Sequence, residues 1–518
     1  MAFYSMAFLC FIVIFVCLHE IAGNFFPKYQ WVVRLTAGVS FFFLISGYKI
    51  VFLLISAFTV WGGAIYVRKI SEKNKSYRKN SELTKEEKKL SKKKCQQTQK
   101  IYIFFIIAIN LALLITVKYL FPVFLNPIAL PLGISFYTLQ AISYLVDVYG
   151  EKYEPQQNFG KLLLFLCWFP QLIQGPINRY DLINTDLYKT YRINARDFRY
   201  AFYIFLFGAI KKYAIGDLLA PIVNSALNDN SGSLPGSFVL FGAVLFAIEQ
   251  YADFSGGIDM AMGASLLFGV RLNENFRQPY FSTSLAEFWR RWHISLGSWM
   301  RDYVFYPFVT TKPVANLTKL VSKRFGNHAG RALTGGISNL IVFSLVGLWH
   351  GPDKHYLAWG LYNGIIIALS DALAPAFSSL NRLLKINEKG RFFRFFKILR
   401  TFTIVVFAGY FDVIGPIRTG LSCFINTFFH FELAGGGAMI NSLFTDNITS
   451  VQAISTVAVS VVLLFINSLC KEGGHSPLER ICSHKYYIRW IVCFSLIMIL
   501  LYSFTVSSGI RGFMYAAF

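Results

Sequence analysis

The sequence predicts an all-α polytopic membrane protein, and three observations carry that prediction. Of the 518 residues, 55% are hydrophobic and only 15% are charged, whereas soluble globular domains carry roughly 25% charged residues. The chain holds 53 Phe and 28 Tyr, and its mean hydropathy is positive at +0.48. Apolar windows also alternate with hydrophilic, basic stretches, and a helix of about 20 apolar residues crosses the hydrocarbon layer.

Taken in order, Phe3–Leu18, Trp31–Val67 (long enough for a pair), Ile101–Phe121, Val451–Leu469 and Trp490–Val506 read as spans. Three further regions are interrupted by polar residues: between Gly133 and Gly175, between Phe198 and Val223, and between Pro235 and Val270. Counting them gives about ten to twelve crossings, with re-entrant and interfacial helices among them. Met1–Leu18 lacks a basic leading region and a clear small-residue cleavage site, so it is expected to stay as a helix. No repeat or second soluble domain stands out, and residues 1–518 read as a single membrane-embedded unit.

The net charge is +23, yet its placement argues against a nucleic-acid partner. The basic residues gather in hydrophilic stretches between apolar ones: Val67–Lys100, Lys312–Arg331, Asn381–Arg400 and Lys471–Arg489. Short basic loops stay cytoplasmic and meet anionic lipid. Some of them also suit an anionic cytoplasmic donor, such as a nucleotide-bearing cofactor or an acidic carrier protein. Gly415–Ser450 is poor in Lys and Arg and is expected to face outward, which places Phe518 outside. With Trp31–Val67 as two helices, the N-terminus is outside as well.

The eight cysteines form no C-x-x-C pair, and most sit in or beside apolar spans as small hydrophobes. Neither a metal site nor a disulfide framework is expected. There is no G-x-S-x-G elbow, P-loop or H-E-x-x-H helix. His350 and His355 stand five apart and do not share a helix face. Asp147, Asp253, Asp259 and Glu249 read as helix-end or hydrogen-bonding groups. Inverted repeats and paired charges within the spans, which a transporter of polymer precursors would need, are not found. Histidine remains as the titrating catalyst.

Two segments draw attention to particular histidines. Phe288–Phe308, FWRRWHISLGSWMRDYVFYPF, packs three Trp, three Arg and one His together. Placed on one helical wheel, Trp289, Trp292, Leu296, Trp299 and Met300 share a side with His293. Arg291, Ser295, Ser298 and Asp302 lie opposite, with Arg290 and Arg301 on a flank. That is the pattern of a single helix lying in the membrane interface, and a lone His on its apolar face reads as structural. The second segment, SNLIVFSLVGLWHG, ends at His350 and Gly351, with Pro352 next. Leu340–Trp349 is too short to cross the bilayer, so one reading puts His350 at a backbone break lining a cavity. The other extends the helix back to Ala332, which completes the span and leaves His350 at its far mouth.

Several stretches together resemble the membrane-bound O-acyltransferase family, nearest its alginate O-acetyltransferase branch, with a teichoic acid D-alanyltransferase branch as a sister. They are LPLGISFYTLQAISYLVDVY from Leu130, FPQLIQGPINRY from Phe169, LFGVRLNENFRQPYFSTSLAEFWRRWHISLGSWMRDYVFYPF from Leu267, and GLWHGPDKHYLAWGLYNG from Gly347. The resemblance places a family-like core at about 100–372, between N-terminal helices over 1–67 and C-terminal helices over 373–518. It implies helices wrapped around a central tunnel, with His350 catalytic and His293 assisting on the cytoplasmic approach. The substrate- or donor-binding positions implied by the motifs are Arg290, Arg291, Trp292, Ser295, Arg301, Asp302, Trp349, Gln174 and Asn178. No metal is implied and no cofactor is bound; acetyl-coenzyme A or another acyl thioester is the donor.

The same resemblance implies membrane lipid, an extracytoplasmic SGNH-type partner, an acyl carrier protein and a cell-surface glycan as partners, in a bacterial cytoplasmic membrane. The sequence departs from the alginate branch in three places. VTTKPVANLTK replaces a Gly-Gly-Asn-type turn, PDKHYLAWG alters a tryptophan-rich pattern, and Asn363 stands where the family has a later histidine. These changes leave the acceptor open.

Overall fold

The computed structural model describes residues 6–80, 83–120, 130–227, 233–445, 451–507 and 512. Among them the regular structure is helical, and the β feature is one antiparallel bridge between Phe276 and Trp292. Seven helical stretches are long and apolar enough to cross a membrane. The number is eight if the bent pair Lys354–Ala372 and Ala374–Leu383, meeting at 56°, forms one span. The chain is thus an all-α polytopic membrane protein. The expected pair in Trp31–Val67 is present: Gln30–Ser46 and Ile50–Tyr77 meet at Gly47, whose φ of 55° suits a residue without Cβ.

Among the described residues fewer stretches pass this test than the ten to twelve crossings expected, for reasons of length and charge, although one of the seven, Pro27–Tyr77, holds two helices. The region from Gly133 to Gly175 forms helices of 16, 9 and 6 residues, Ile134–Tyr149, Phe159–Cys167 and Phe169–Gln174. At about 1.5 Å per residue none of these crosses a layer of about 30 Å. The region from Phe198 to Val223 is helical, but its π-helical turn Ile210–Gly216 buries Lys211 and Lys212. The third interrupted region, by contrast, is one complete span, Gly236–Leu266.

The basic stretches also differ from the loops expected of them. Ile50–Tyr77 and Lys85–Ile115 both continue as helix into the run from Val67 to Lys100. The second of these starts on a capping box. Thr84 Oγ1 accepts from the Glu87 backbone N–H at 3.2 Å, and the Glu87 carboxylate accepts from the Thr84 backbone N–H at 2.8 Å. Lys312–Phe325 is helical too. Lysine and arginine are good helix formers, so a basic run with a cap folds as readily as an apolar one.

The chain divides into two compact units. The first is built from Met1–Ala201 and Ala261–Asn273. Its centre is an aromatic cluster in which Phe11 lies 5.4 Å from both Phe41 and Phe169, and Phe169 lies 5.7 Å from Phe268. Arg34, fully buried, ties this cluster to the irregular backbone around it. Its guanidinium donates to the carbonyls of Leu187 at 2.9 Å, Lys189 at 2.8 Å and Phe268 at 3.0 Å. Those carbonyls lie in the last turn of helix Tyr180–Tyr188, just past it and, at Phe268, past Gly236–Leu266, so they need a donor from elsewhere. A buried chain of amides runs through the same unit. Gln171 Nε2 donates to Gln140 at 3.3 Å, Asn178 Nδ2 to Gln171 at 3.1 Å, and Asn273 Nδ2 to Asn178 at 3.0 Å.

The second unit is built from Phe202–Met260 and Glu274–Tyr515. Here Gly208 and Gly256 let two helices touch, since a Cβ on either would lie 2.6–2.7 Å from the other's carbonyl oxygen. Beside them are the paired charges that the sequence reading did not find. Lys211 pairs with Asp259 at 2.6 Å, while Lys212 pairs with Asp217 at 2.8 Å and with Asp253. Lys211 and Asp259 are 48 positions apart in sequence, and Lys212 and Asp253 are 41 apart, which is why inspection of separate spans misses them. Asn327–His350 is a complete 24-residue helix, so the span is not cut short as the first reading had it, although the helix ends at the Gly351–Pro352 break with His350 as its last residue. It packs tightly on Lys354–Ala372 through glycine: a Cβ on Gly347 would lie 2.3 Å from the Tyr356 carbonyl, and one on Gly360 2.3 Å from that of Phe343.

Replacing Arg34 by methionine is expected to destabilise the first unit by about 2–5 kcal/mol, because buried carbonyls lose their donors at roughly 1–3 kcal/mol each. Thermal unfolding of the two proteins in the same detergent measures this, and equal midpoints would refute the anchoring role.

Candidate active site

Phe288–Phe308 is not one helix. It forms Leu285–Arg291, then Ile294–Met300, then a π-helical turn over Arg301–Phe305. Between the first two, Trp292 is extended and His293 is left-handed, with φ 47° and ψ 52°. Histidine tolerates that region better than most residues. The cause of the break lies upstream, in the segment beginning at Asn275. Arg277 N–H donates to the Arg291 carbonyl at 2.9 Å, and Ile294 N–H donates to the Asn275 carbonyl at 3.0 Å. Asn275 Oδ1 then accepts from Ser295 N–H and Ser295 Oγ, each at 2.9 Å. An asparagine outside the segment therefore caps the second helix, as an N-cap residue ordinarily does from within.

The single interfacial helix read from the sequence is corrected accordingly. Trp292, Leu296, Trp299 and Met300 are buried against protein. The Trp292 ring meets Phe276 edge-on at 5.0 Å and stacks on Phe288 at 5.5 Å.

His293 is 3% exposed, with Phe254 edge-on at 4.9 Å and Trp349 at 6.2 Å. Its Nδ1 faces the Asn275 amide, 3.2 Å from Nδ2. Burial lowers the imidazole from 6.5 to about 3, so it is neutral at working pH. His350 closes its helix at 4% exposed. It lies edge-on to Trp359 at 5.2 Å and to Trp349 at 5.3 Å, with Tyr356 stacked at 6.1 Å.

Both histidines line one cavity of about 930 Å³. Of the other residues singled out in the sequence, Arg290, Arg291, Trp292 and Arg301 line it as well, while Ser295, Asp302 and Trp349 are not on its wall. Ser295 is tied to Asn275, Asp302 pairs with Arg301 at 3.0 Å, and the Trp349 ring neighbours both histidines. Gln174 and Asn178 are buried in the first unit.

The three arginines are not equivalent. Arg291 is held by Glu287 and Glu472, both at 2.7 Å, and Glu472 also meets Arg394 at 3.0 Å. Arg301 is paired with Asp302, whereas Arg290 is exposed and carries no ion pair among the described residues. Those residues contain no group of three or more potential metal ligands. Asn275 and Glu472 were not foreseen. Asn275 acts on residues 18 to 20 positions away, and Glu472 is a single acid beside a basic loop. Neither has a local pattern to betray it.

Two buried imidazoles on the wall of one cavity in a polytopic helical protein are an arrangement that acid–base chemistry can use. Residues 156–406 match MBOAT, the membrane-bound O-acyltransferase family. The chain is 35% identical over 253 residues to the probable alginate O-acetylase AlgI of Pseudomonas aeruginosa, covering 49% of this chain and 45% of that one. It is 30% identical over 274 residues to the peptidoglycan O-acetyltransferase of Helicobacter pylori, covering 48% of each. It is 28% identical over 287 residues to the teichoic acid D-alanyltransferase of Bacillus subtilis, covering 54% of this chain and 67% of that one. The chain spans about half the length of the alginate and peptidoglycan relatives.

The low proton affinity of His293 has a consequence for stability. Unfolding restores an imidazole that titrates near 6.5, whereas the folded one titrates near 3. Above pH 6.5 both states are neutral there and stability is flat. As pH falls from 6.5 toward 3 the unfolded state binds the extra proton, so stability declines. The gap in thermal midpoint between wild type and His293→Gln is expected to shift against wild type over that window; a gap independent of pH would contradict the burial.

Proposed function

We propose that this protein is a membrane-embedded acyltransferase that moves an acyl group, acetyl in the first instance, from a cytoplasmic thioester to a hydroxyl group outside the membrane. The observation that carries the reading is the placement of His293 and His350 on one cavity wall. Acyl transfer requires a base to take the hydroxyl proton as its oxygen attacks the thioester carbonyl. The C–O bond forms, the C–S bond breaks, and the proton leaves with the thiol. Histidine suits this step because its ordinary pKa, about 6.5, lies near working pH. His350 is the base. His293, neutral and buried, stabilises the oxyanion as the carbonyl is attacked. No covalent nucleophile is required.

The donor is acetyl-coenzyme A, with Arg290 the one of the motif's three arginines best placed for its phosphates, since Arg291 and Arg301 are already paired. The acceptor is a cell-surface polysaccharide, or an extracytoplasmic SGNH-type partner that completes the transfer. The names of the alginate and peptidoglycan relatives support acetyl transfer to a surface glycan. A second reading, D-alanyl transfer to teichoic acid from a carrier-protein thioester, is favoured by the Bacillus subtilis relative. Both readings place the protein in the cytoplasmic membrane. A transporter is disfavoured because Lys211 and Lys212, although paired with aspartates as a transporter could require, do not line the cavity.

Membranes containing the protein and its extracytoplasmic partner, given labelled acetyl-coenzyme A, are expected to place label in O-linked ester on surface glycan. His350→Ala should reduce transfer to background and His293→Ala by roughly a hundredfold, at equal membrane levels. Undiminished labelling by His350→Ala would sink the assigned base. Transfer only from a D-alanyl carrier protein would move the protein to the second reading.

A further inference from the structure

We propose that Asn275 is a positioning residue that holds His293 as its Nε2–H tautomer, making this imidazole a fixed hydrogen-bond donor and leaving proton abstraction to His350. The inference rests on the acyl-transfer reading for its catalytic meaning, though not for its geometry. Asn275 is 1% exposed, and its amide orientation follows from chemistry. The backbone N–H of Ser295 can only donate, and it lies 2.9 Å from one amide atom, which must therefore be the oxygen. The Ser295 hydroxyl donates to the same atom at 2.9 Å. Two donors fill the two lone-pair directions of Oδ1.

His293 Nδ1 lies 3.2 Å from Asn275 Nδ2 and 3.3 Å from Oδ1. Distance alone does not choose between them; the capacity of the amide does. Oδ1 is occupied, whereas Nδ2 carries hydrogens that need an acceptor, so Nδ1 accepts and the ring proton sits on Nε2. The arrangement is braced twice more. The Asn275 carbonyl accepts from Ile294 N–H at 3.0 Å, and the left-handed His293 backbone, at φ 47°, fixes how the ring leaves the chain. Burial separately keeps the ring neutral. A neutral imidazole with its proton fixed on Nε2 is pre-organised to donate to developing negative charge without reorganising. Asn275 never touches the substrate in this scheme; it acts through His293.

The test uses full-length protein in lipid nanodiscs with ¹⁵N-labelled histidine. The His293 signals are identified by their loss in His293→Gln. The expected wild-type spectrum shows an unprotonated Nδ1 and a protonated Nε2; a protonated Nδ1 would overturn the proposal without reference to any variant. Asn275→Asp replaces the donor by a carboxylate that only accepts. It is expected to move the proton to Nδ1 and to lower kcat by about tenfold to a hundredfold, with KM changed less than about twofold. His293→Gln keeps an N–H near the Nε2 position and should retain more activity than His293→Ala. An Asn275→Asp protein that folds with tautomer and kcat unchanged would overturn the positioning role. The spectrum is read without turnover, so wild type that transfers no acyl group would defeat the activity reading alone.

Discussion

Much of the candidate site depends on one short stitch of backbone. The segment from Asn275 pairs with the chain around Trp292, and Asn275 caps the helix that follows. Without those bonds Leu285–Arg291 and Ile294–Met300 would join into the amphipathic helix that the sequence suggests, with its tryptophans turned to lipid. With them the helix is broken at a left-handed residue. Trp292 goes into an aromatic cluster, and His293 comes to the cavity that His350 reaches from another helix. Backbone polar groups inside a membrane protein must find partners within it, and the stitch satisfies several while bending the chain where an imidazole is needed.

Much of the architecture was legible because the strongest signal in a membrane protein is local. An apolar run of sufficient length becomes a helix whatever lies far from it, so the pair in Trp31–Val67 and the spans near both ends follow from composition alone. His350 was legible for a related reason: it ends a strongly apolar helix and is followed by Gly351 and Pro352. The features that escaped are non-local. The cap on Ser295 comes from Asn275. The lysines of the π-helical turn find aspartates on another helix. Glu472 reaches Arg291 from the end of a distant span. None of these partners differs, in its own neighbourhood, from an ordinary surface polar residue.

The three arginines of the opening motif make the same point about charge. Sequence treats them alike, yet two carboxylates neutralise Arg291 and a neighbour occupies Arg301. Arg290 is left as the member of the set able to meet an outside anion. Counting cations would overstate the attraction of this cavity for phosphate. Pairing, rather than number, decides what a basic motif can do.

At Gly347 and Gly360 the contact between Asn327–His350 and Lys354–Ala372 is glycine against main chain. Main-chain atoms are common to every sequence, so the spacing of these two helices depends little on side chains at those two points. Under the proposed acyl transfer, the cavity lining could change to take a bulkier acyl group or a different sugar while His350 kept its place. On that proposal, the scaffold would separate the group that does the chemistry from the lining that chooses the substrate.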